Sequence, residues 1–455
     1  MSAKLYDIRV LFDGRKTFGF NVERCEGLRA YFFLMSMDRE RSLPLPAMGA
    51  PMRILILNQA FYPDCVATAQ YGSELGQALA AAGHDVFALA SDRGYDDPEK
   101  RFPASELWQG IRIVRIPSLG LGKASKLRRA IDFAWFMMVC CVRLVILPKF
   151  DIVVVLTSPP IISYLAAWVK RLKGSKLVYW TMDLNPDEAI AAGWLDEGSL
   201  IAKGLIAAQS FSIRMSDRIV VLDRFMKARV QRHAHGSSIS VIPPWPLDSV
   251  VLDHEGRETF RASHGMDGKF VIMYSGNHSP CHPLDVILEA AVALRDEDDL
   301  FFAFVGGGSE HKSVKTFASD HHLKNIVALP YQPKQQLACS LGAADLHVVV
   351  MGDPFVGIVH PCKIYNILAL GAPFLYVGPH ESHIVDLAIQ LGKRANCVAA
   401  VRHGHVEAAV AAIRMARNHA QYLPPVYNGA PGSMALNELV SVIESLQVPI
   451  SVGAL

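Results

Sequence analysis

The stretch Gly357-Ile358-Val359-His360-Pro361-Cys362-Lys363-Ile364-Tyr365-Asn366-Ile367-Leu368-Ala369-Leu370-Gly371-Ala372-Pro373 reads as a loop, a short helix and a turn. Pro361 suits the first helical position, where its missing N–H is not needed. Gly371 suits the residue just past the helix end, and Pro373 blocks continuation. Phe374-Leu375-Tyr376-Val377-Gly378 then reads as a buried strand. A helix opening at Pro361, with Lys363 in its first turn, combines free N–H groups with a cation. That pairing suits phosphate. The helix is expected to anchor a diphosphate.

Around it, strand and helix alternate. The strands expected are Phe270–Ser275, Leu300–Val305, Ile326–Leu329, Leu346–Met351, Phe374–Val377 and Cys397–Val401. Helical runs separate them: Leu284–Leu294, Glu310–His321, Lys334–Leu341, His383–Leu391 and His405–Met415. Upstream, Pro243-Pro244-Trp245-Pro246 reads as an interdomain hinge. Before the hinge a similar alternation begins at Met52-Arg53-Ile54-Leu55-Ile56-Leu57-Asn58. It continues through a helix at Ala67–Ala82 and short β-branched runs at 85–90, 111–116, 151–156, 176–180 and 218–222, suited to parallel strands. The fold class is therefore α/β: two Rossmann-like domains, 52–245 and 246–430, with a cleft between them. Residues 1–51 lack this periodicity and read as a poorly ordered extension, Met52 being a candidate natural start. Residues 431–455 read as a helix and tail that pack back on the first domain.

Composition agrees with two well-buried domains. The chain has 455 residues, 51% hydrophobic and 19% charged, too long for a single core. A net charge of +2 gives no electrostatic argument for nucleic acid. The eight Cys are scattered without CxxC or Cys/His metal spacing, which fits a reducing cytoplasm. No secretory signal opens the sequence. Ile131 to Leu147 is apolar on nearly all sides, but Asp132 and Arg143 interrupt it. It reads as a core helix or, beside the basic residues Lys123, Lys126, Arg128 and Arg129, as a helix lying on a membrane surface.

Three further segments are chemically suggestive. Val305-Gly306-Gly307-Gly308-Ser309-Glu310 is a strand, a glycine turn and a helix start. It is either a phosphate cradle or a plain tight turn. Tyr274-Ser275-Gly276-Asn277-His278-Ser279-Pro280-Cys281-His282 ends the first strand of the second domain, where ligands sit. His278 and His282 have i, i+4 spacing, but Pro280 argues against a helix and so against a metal pair there. Trp180-Thr181-Met182-Asp183-Leu184-Asn185-Pro186-Asp187 follows a strand of the first domain. Asp183 either orients an acceptor hydroxyl or makes an Asx turn before Pro186.

Taken together, Phe61-Tyr62-Pro63-Asp64, Gly83-His84-Asp85-Val86, Trp108-Gln109-Gly110-Ile111-Arg112, Asp183-Leu184-Asn185-Pro186-Asp187, Tyr274-Ser275-Gly276-Asn277, Val305-Gly306-Gly307-Gly308, Leu329-Pro330-Tyr331-Gln332-Pro333 and Pro361-Cys362-Lys363-Ile364-Tyr365 resemble the GT-B glycosyltransferases of family 4. The resemblance is closest to the WcaI/WbuB-like enzymes of bacterial exopolysaccharide and O-antigen synthesis. It implies a GT-B fold and transfer of a sugar from a nucleotide-sugar, UDP-linked, to a lipid-linked or glycan acceptor. It also implies retention of configuration, no obligatory metal and no cofactor. Lys363 and Asp183 are the expected catalytic groups. Gly276, Asn277, His282, Gly306, Gly307, Gly308, Pro361, Cys362, Tyr365 and Asn366 are the expected donor contacts. The resemblance also places the protein at the cytoplasmic face of the membrane, with 123–147 toward the lipid. Several positions depart from the family. Asn277 and His282 stand where many members carry Arg and Lys, so His282 would meet phosphate only as a protonated or donating ring. Ile358 and Asn366 stand at the paired glutamates, and Cys362 stands for the usual Ser. A nucleotide-sugar 2-epimerase and a degenerate nucleotide-binding scaffold are the alternatives.

Overall fold

The structure, a computed structural model, describes residues 50–447 except 96, 98, 121–125, 235, 248–249, 420 and 427–430. They belong to one compact unit, Gly49–Leu455. The expected extension therefore lies outside the described residues except for its last two, as does Lys123 of the basic loop.

Eight strands build the first sheet: β1 (Arg53–Leu57), β2 (Asp85–Ser91), β3 (Ser105–Trp108), β4 (Ile111–Ile116), β5 (Ile152–Val155), β6 (Lys176–Trp180), β7 (Arg218–Val221) and β8 (Ser238–Val241). Their order is β3-β4-β2-β1-β5-β6-β7-β8. All neighbours are parallel except β3 and β4. The central strands are buried on both faces, which is why they read as continuous apolar runs. The edge strand β3 has no such run, so periodicity alone does not reveal it. A tight turn with positive φ at both Gln109 (50°) and Gly110 (78°) makes it a hairpin with β4.

The second sheet comprises β9 (Phe270–Asn277), β10 (Leu300–Gly307), β11 (Ile326–Leu329), β12 (Leu346–Val350), β13 (Phe374–Val377) and β14 (Cys397–Val401). Its order, β11-β10-β9-β12-β13-β14, is fully parallel. The chain reverses direction across the sheet between β9 and β12, and ligands bind at the carboxyl edge of such a switch point. β9 and β10 each run two residues past their expected ends, so that Gly276 lies opposite Gly306 and Asn277 opposite Gly307. A Cβ on Gly306 would run into the Gly276 carbonyl, and φ there is 141°. Only glycine permits this approach.

The helix after β12 spans Lys363–Leu370, two residues shorter at its start than the sequence suggests. The Ile364 and Tyr365 amides bond the carbonyls of Pro361 and Cys362 at 3.3 and 3.1 Å, a tight first turn. Only the amides before them remain for a ligand. The helix stops at Gly371 with φ 67°, as its composition predicts. The apolar run at 131–147 lies in the helix Lys126–Ile146. Phe136, Cys140 and Leu144 are buried on one stripe, while Met138, Val142, Val145 and Ile146 are exposed. Among the described residues no helix is long and apolar enough to cross a membrane.

Two features, among others, join the halves. Trp245 of the proline-rich segment is buried, stacks 6.0 Å from Trp180 and meets the Tyr71 ring edge-on at 5.1 Å. Its indole N–H donates to Glu74 at 2.6 Å. The helix Pro431–Glu444 follows the second sheet yet packs on Ala67–Ala81 of the first half, burying Leu439 and Ile443. Gly371→Ala is expected to cost at least about 1–3 kcal/mol, since its left-handed backbone strains any other residue and its Cβ would meet the Leu423 carbonyl. Urea unfolding checks this, and an unchanged midpoint would show that the cap does not matter.

Candidate functional site

The carboxyl ends of β9 and β10 bring Gly276, Asn277 and Gly306–Gly308 to one edge of the second sheet, and the helix Lys363–Leu370 starts beside them. The Lys363 amine is buried and has no hydrogen-bond partner. It sits 3.5 Å from the centroid of the buried Tyr274 ring, whose hydroxyl donates to the Asn277 carbonyl at 2.6 Å. A Cβ on Gly276 would stand 2.8 Å from the Lys363 amine, so glycine leaves the room the amine occupies. Burial pushes the Lys363 ammonium well below the ordinary lysine range. A buried amine with no partner is costly to keep. An anion arriving there would restore its charge. Lys363, Gly276, Asn277 and the 306–308 glycines are thus brought together as expected donor contacts.

Two histidines border the amine. The His282 Nδ1 donates to the Val350 carbonyl at 2.8 Å, and burial, then Lys363, pushes its pKa down to about 3. The His278 Nδ1 donates to the Gly276 carbonyl at 3.0 Å. Burial, then His311 and Lys363, takes its pKa to about 4. Both rings are neutral, and their Nε2 atoms carry lone pairs. With Nδ1 given to Val350, the neutral His282 offers a lone pair at Nε2, so it would donate to phosphate only once protonated. Its lone pair suits a hydroxyl instead.

Other expected donor contacts are engaged elsewhere. Tyr365 lies roughly 200° round the helix from Lys363, and its hydroxyl is 2.9 Å from His360 Nε2 inside the protein. The Asn366 Oδ1 accepts from the Leu247 amide at 3.0 Å, tying the helix to the hinge. The half-buried Cys362 thiol donates to the His360 carbonyl at 3.2 Å, and burial pushes its pKa up. Pro361 is buried and supplies a carbonyl to the first turn. Pro361, Cys362, Tyr365 and Asn366 therefore shape and hold the helix, and Lys363 presents the charge. Ile358, at a glutamate position of the family pattern, is buried, and its carbonyl accepts from the Leu184 amide at 2.9 Å.

That last bond brings the Asp183 loop against the second half. Asp183 makes no side-chain hydrogen bond among the described residues, so no Asx turn accounts for it. Burial, then the neighbouring Glu188, raises its pKa to about 8. Glu188 is also raised, chiefly by burial, and accepts from the Cys281 thiol of the second half at 3.6 Å. The pair forms a carboxyl site that is partly protonated at neutral pH. Sequence reading missed Glu188 and Tyr274. Glu188 lies five residues past Asp183 on the next helix, and only the fold turns both toward one place.

Two Rossmann-like parallel sheets in one chain are the architecture of the GT-B fold. Residues 67–245 match a family model described as Glycosyl transferase 4-like domain. WcaI of Escherichia coli (strain K12), named for colanic acid biosynthesis, is 25% identical over 80% of this chain and 92% of its own. WbjE of Pseudomonas aeruginosa, named as a glycosyltransferase, is 26% identical over 52% of this chain and 60% of its own. Among solved structures, WaaG, a glycosyltransferase involved in lipopolysaccharide biosynthesis, superposes with a TM-score of 0.57 at 16% identity, covering 87% of this chain and 95% of its own. HepE of Anabaena, solved in complex with UDP and glucose, gives 0.54 at 13%, covering 87% and 100%. The chain thus resembles the family 4 glycosyltransferases over residues 67–245 and shares the GT-B fold of these structures.

The Asp183 shift has a stability consequence. Its folded pKa lies above its unfolded value, so between the ordinary carboxylate range and about pH 8 the folded state holds the proton more tightly. Stability must therefore fall as pH rises through that window. Asp183→Asn is expected to remove the decline and raise the melting temperature at pH 8. Parallel pH-stability curves for the two proteins would show the shift to be absent.

Proposed function

We propose that the protein transfers a sugar from a UDP-sugar to a lipid-linked or glycan acceptor in polysaccharide assembly, with retention of configuration and without an obligatory metal. The buried, unpartnered Lys363 amine at the switch point of the second sheet carries this reading. Departure of a nucleoside diphosphate develops negative charge on the bridging oxygen. A preplaced amine, protonated as the anion binds, and backbone amides stabilise that charge. Lys363 supplies the cation. Asn277 and the Gly306–Gly308 turn line the same edge for phosphate and sugar. The UDP and UDP-glucose complexes of HepE support a nucleotide-sugar in a fold of this kind.

Asp183 and Glu188 face this edge from the other half and are suited to an acceptor hydroxyl. The ionised carboxylate would accept the proton that the hydroxyl loses as the new bond forms. The names of WcaI and WaaG favour an envelope polysaccharide or lipopolysaccharide acceptor. A membrane-surface position at the cytoplasmic face fits the same reading. Met138, Val142, Val145 and Ile146 are exposed on one helix, Trp168 and Leu172 on the next, with Lys170, Arg171 and Lys173 in its last turn. Apolar side chains beside cations suit an anionic lipid surface.

Two outcomes are expected. Lys363→Ala should lower kcat/KM for UDP-sugar turnover by about 10²–10³-fold. Wild type should take up protons on binding UDP at mildly alkaline pH, measured by calorimetry in buffers of different ionisation heat, and Lys363→Met should not. Intact turnover, or the same proton uptake in the variant, would remove Lys363 from the diphosphate site. For the membrane contact, Val142→Glu with Val145→Glu should abolish co-sedimentation with anionic vesicles. Unchanged sedimentation would place the lipid contact elsewhere.

A further inference from the structure

We propose that Asp223, His360 and His383 form a binding site for a divalent transition-metal ion of the zinc type, apart from the reacting centre. The three side chains are buried, and one donor atom from each lies within 4.8 Å of the other two. They come from separate elements. Asp223 caps the helix Arg224–Gln231 just after β7, its Oδ1 accepting from the Met226 amide at 2.8 Å. That leaves Oδ2 free to face the two histidines. His360 Nδ1 lies 2.8 Å from Oδ2, and His383 Nδ1 lies 3.8 Å from it, beyond hydrogen-bond reach. Ligands of a tetrahedral zinc with bonds of about 2.0–2.1 Å stand roughly 3.3 Å apart, and the two observed spacings bracket that value.

The imidazoles stack with centroids 3.7 Å apart and planes 20° from parallel, and a modest turn of the His383 ring would aim both Nδ1 lone pairs at one ion. His360 Nε2 has the Tyr365 hydroxyl at 2.9 Å, the outer partner that fixes the ring of a metal-binding histidine. His383 Nε2, which the ion does not use, is buried with no hydrogen-bond partner among the described residues. The neighbouring cation, Arg224, is engaged by Asp386 on the helix His383–Leu391. Two imidazole nitrogens and one carboxylate oxygen are a borderline donor set, which selects zinc-like ions over magnesium or calcium. On binding, the ion takes Oδ2 and both Nδ1 atoms. The His360 Nδ1 proton moves to Nε2, which then donates to the Tyr365 hydroxyl, so that the ring ligates as a neutral imidazole.

The site spans the two halves. Asp223 belongs to the first half and the histidines to the second, with His360 three residues before Lys363. An ion there would set the seat of the helix that carries Lys363 without touching the donor.

The test uses the untagged full chain, stripped with EDTA and re-equilibrated with zinc. Elemental analysis should find one zinc per chain, and cobalt should give the visible bands of a four- or five-coordinate site without a sulfur-to-cobalt charge-transfer band. Asp223→Asn keeps the helix cap, since asparagine caps equally well. It and His383→Gln should each weaken zinc binding at least tenfold by calorimetry, and Tyr365→Phe about tenfold. No retained zinc in wild type overturns the proposal. So does zinc binding unchanged in both Asp223→Asn and His383→Gln, and so does a sulfur charge-transfer band, which would put the ion on the cysteines. Wild-type stoichiometry and the cobalt spectrum decide the matter even if a variant fails to fold. None of these readouts involves UDP or sugar transfer, so failure here leaves the transferase reading intact.

Discussion

A primary amine held in a buried position, with an aromatic face beneath it and no hydrogen-bond partner, dominates this structure. Lys363 stands over Tyr274 in a space that exists because residue 276 has no side chain. Burial disfavours its charge, and no hydrogen bond among the described residues compensates. Such an arrangement is stable only because the surrounding fold over-determines it. It becomes favourable when an anion arrives, and that difference between free and liganded states lets a site bind diphosphate and favour its departure.

Holding the amine there takes both halves of the molecule. The helix it opens is tied to the hinge by Asn366, to the interior by Tyr365 and to the following chain through the Gly371 carbonyl, which accepts from Leu423. The hinge is itself locked by Trp245 against Trp180, Tyr71 and Glu74 of the first half. The carboxyl pair Asp183 and Glu188 reaches the second half through the Leu184 amide and the Cys281 thiol. The side chains a motif reading assigns to the donor thus serve the rigidity of the helix. The Asp223–His360–His383 group belongs to the same set of ties.

Legibility followed the physics of each signal. β5, β6, β12 and β13 are continuous apolar runs because both faces are buried, and such runs are visible in a sequence. Gly371 and Pro373 mark a helix end through backbone conformations that other residues resist. β3 was invisible because an exposed edge strand of four residues imposes no apolar pattern. Lys363 was legible because a lysine at a helix start after a buried strand has few structural reasons to be there. The roles of His282, Tyr365 and Asn366 were not. Which atom of a polar side chain is already committed depends on carbonyls and amides far along the chain, at Val350, His360 and Leu247.

The sequence by itself determined the two alternating α/β halves, the hinge between them, the glycine turns and the cation at the helix start. These are set by local periodicity and by backbone conformations only glycine and proline favour, and both are written residue by residue. The tertiary structure alone decided which groups face one another: Lys363 on Tyr274, Asp183 beside Glu188, His360 and His383 about Asp223. Burial, and with it every pKa and every free lone pair, depends on neighbours that the fold brings together, most of them from distant parts of the chain, and no local pattern encodes it.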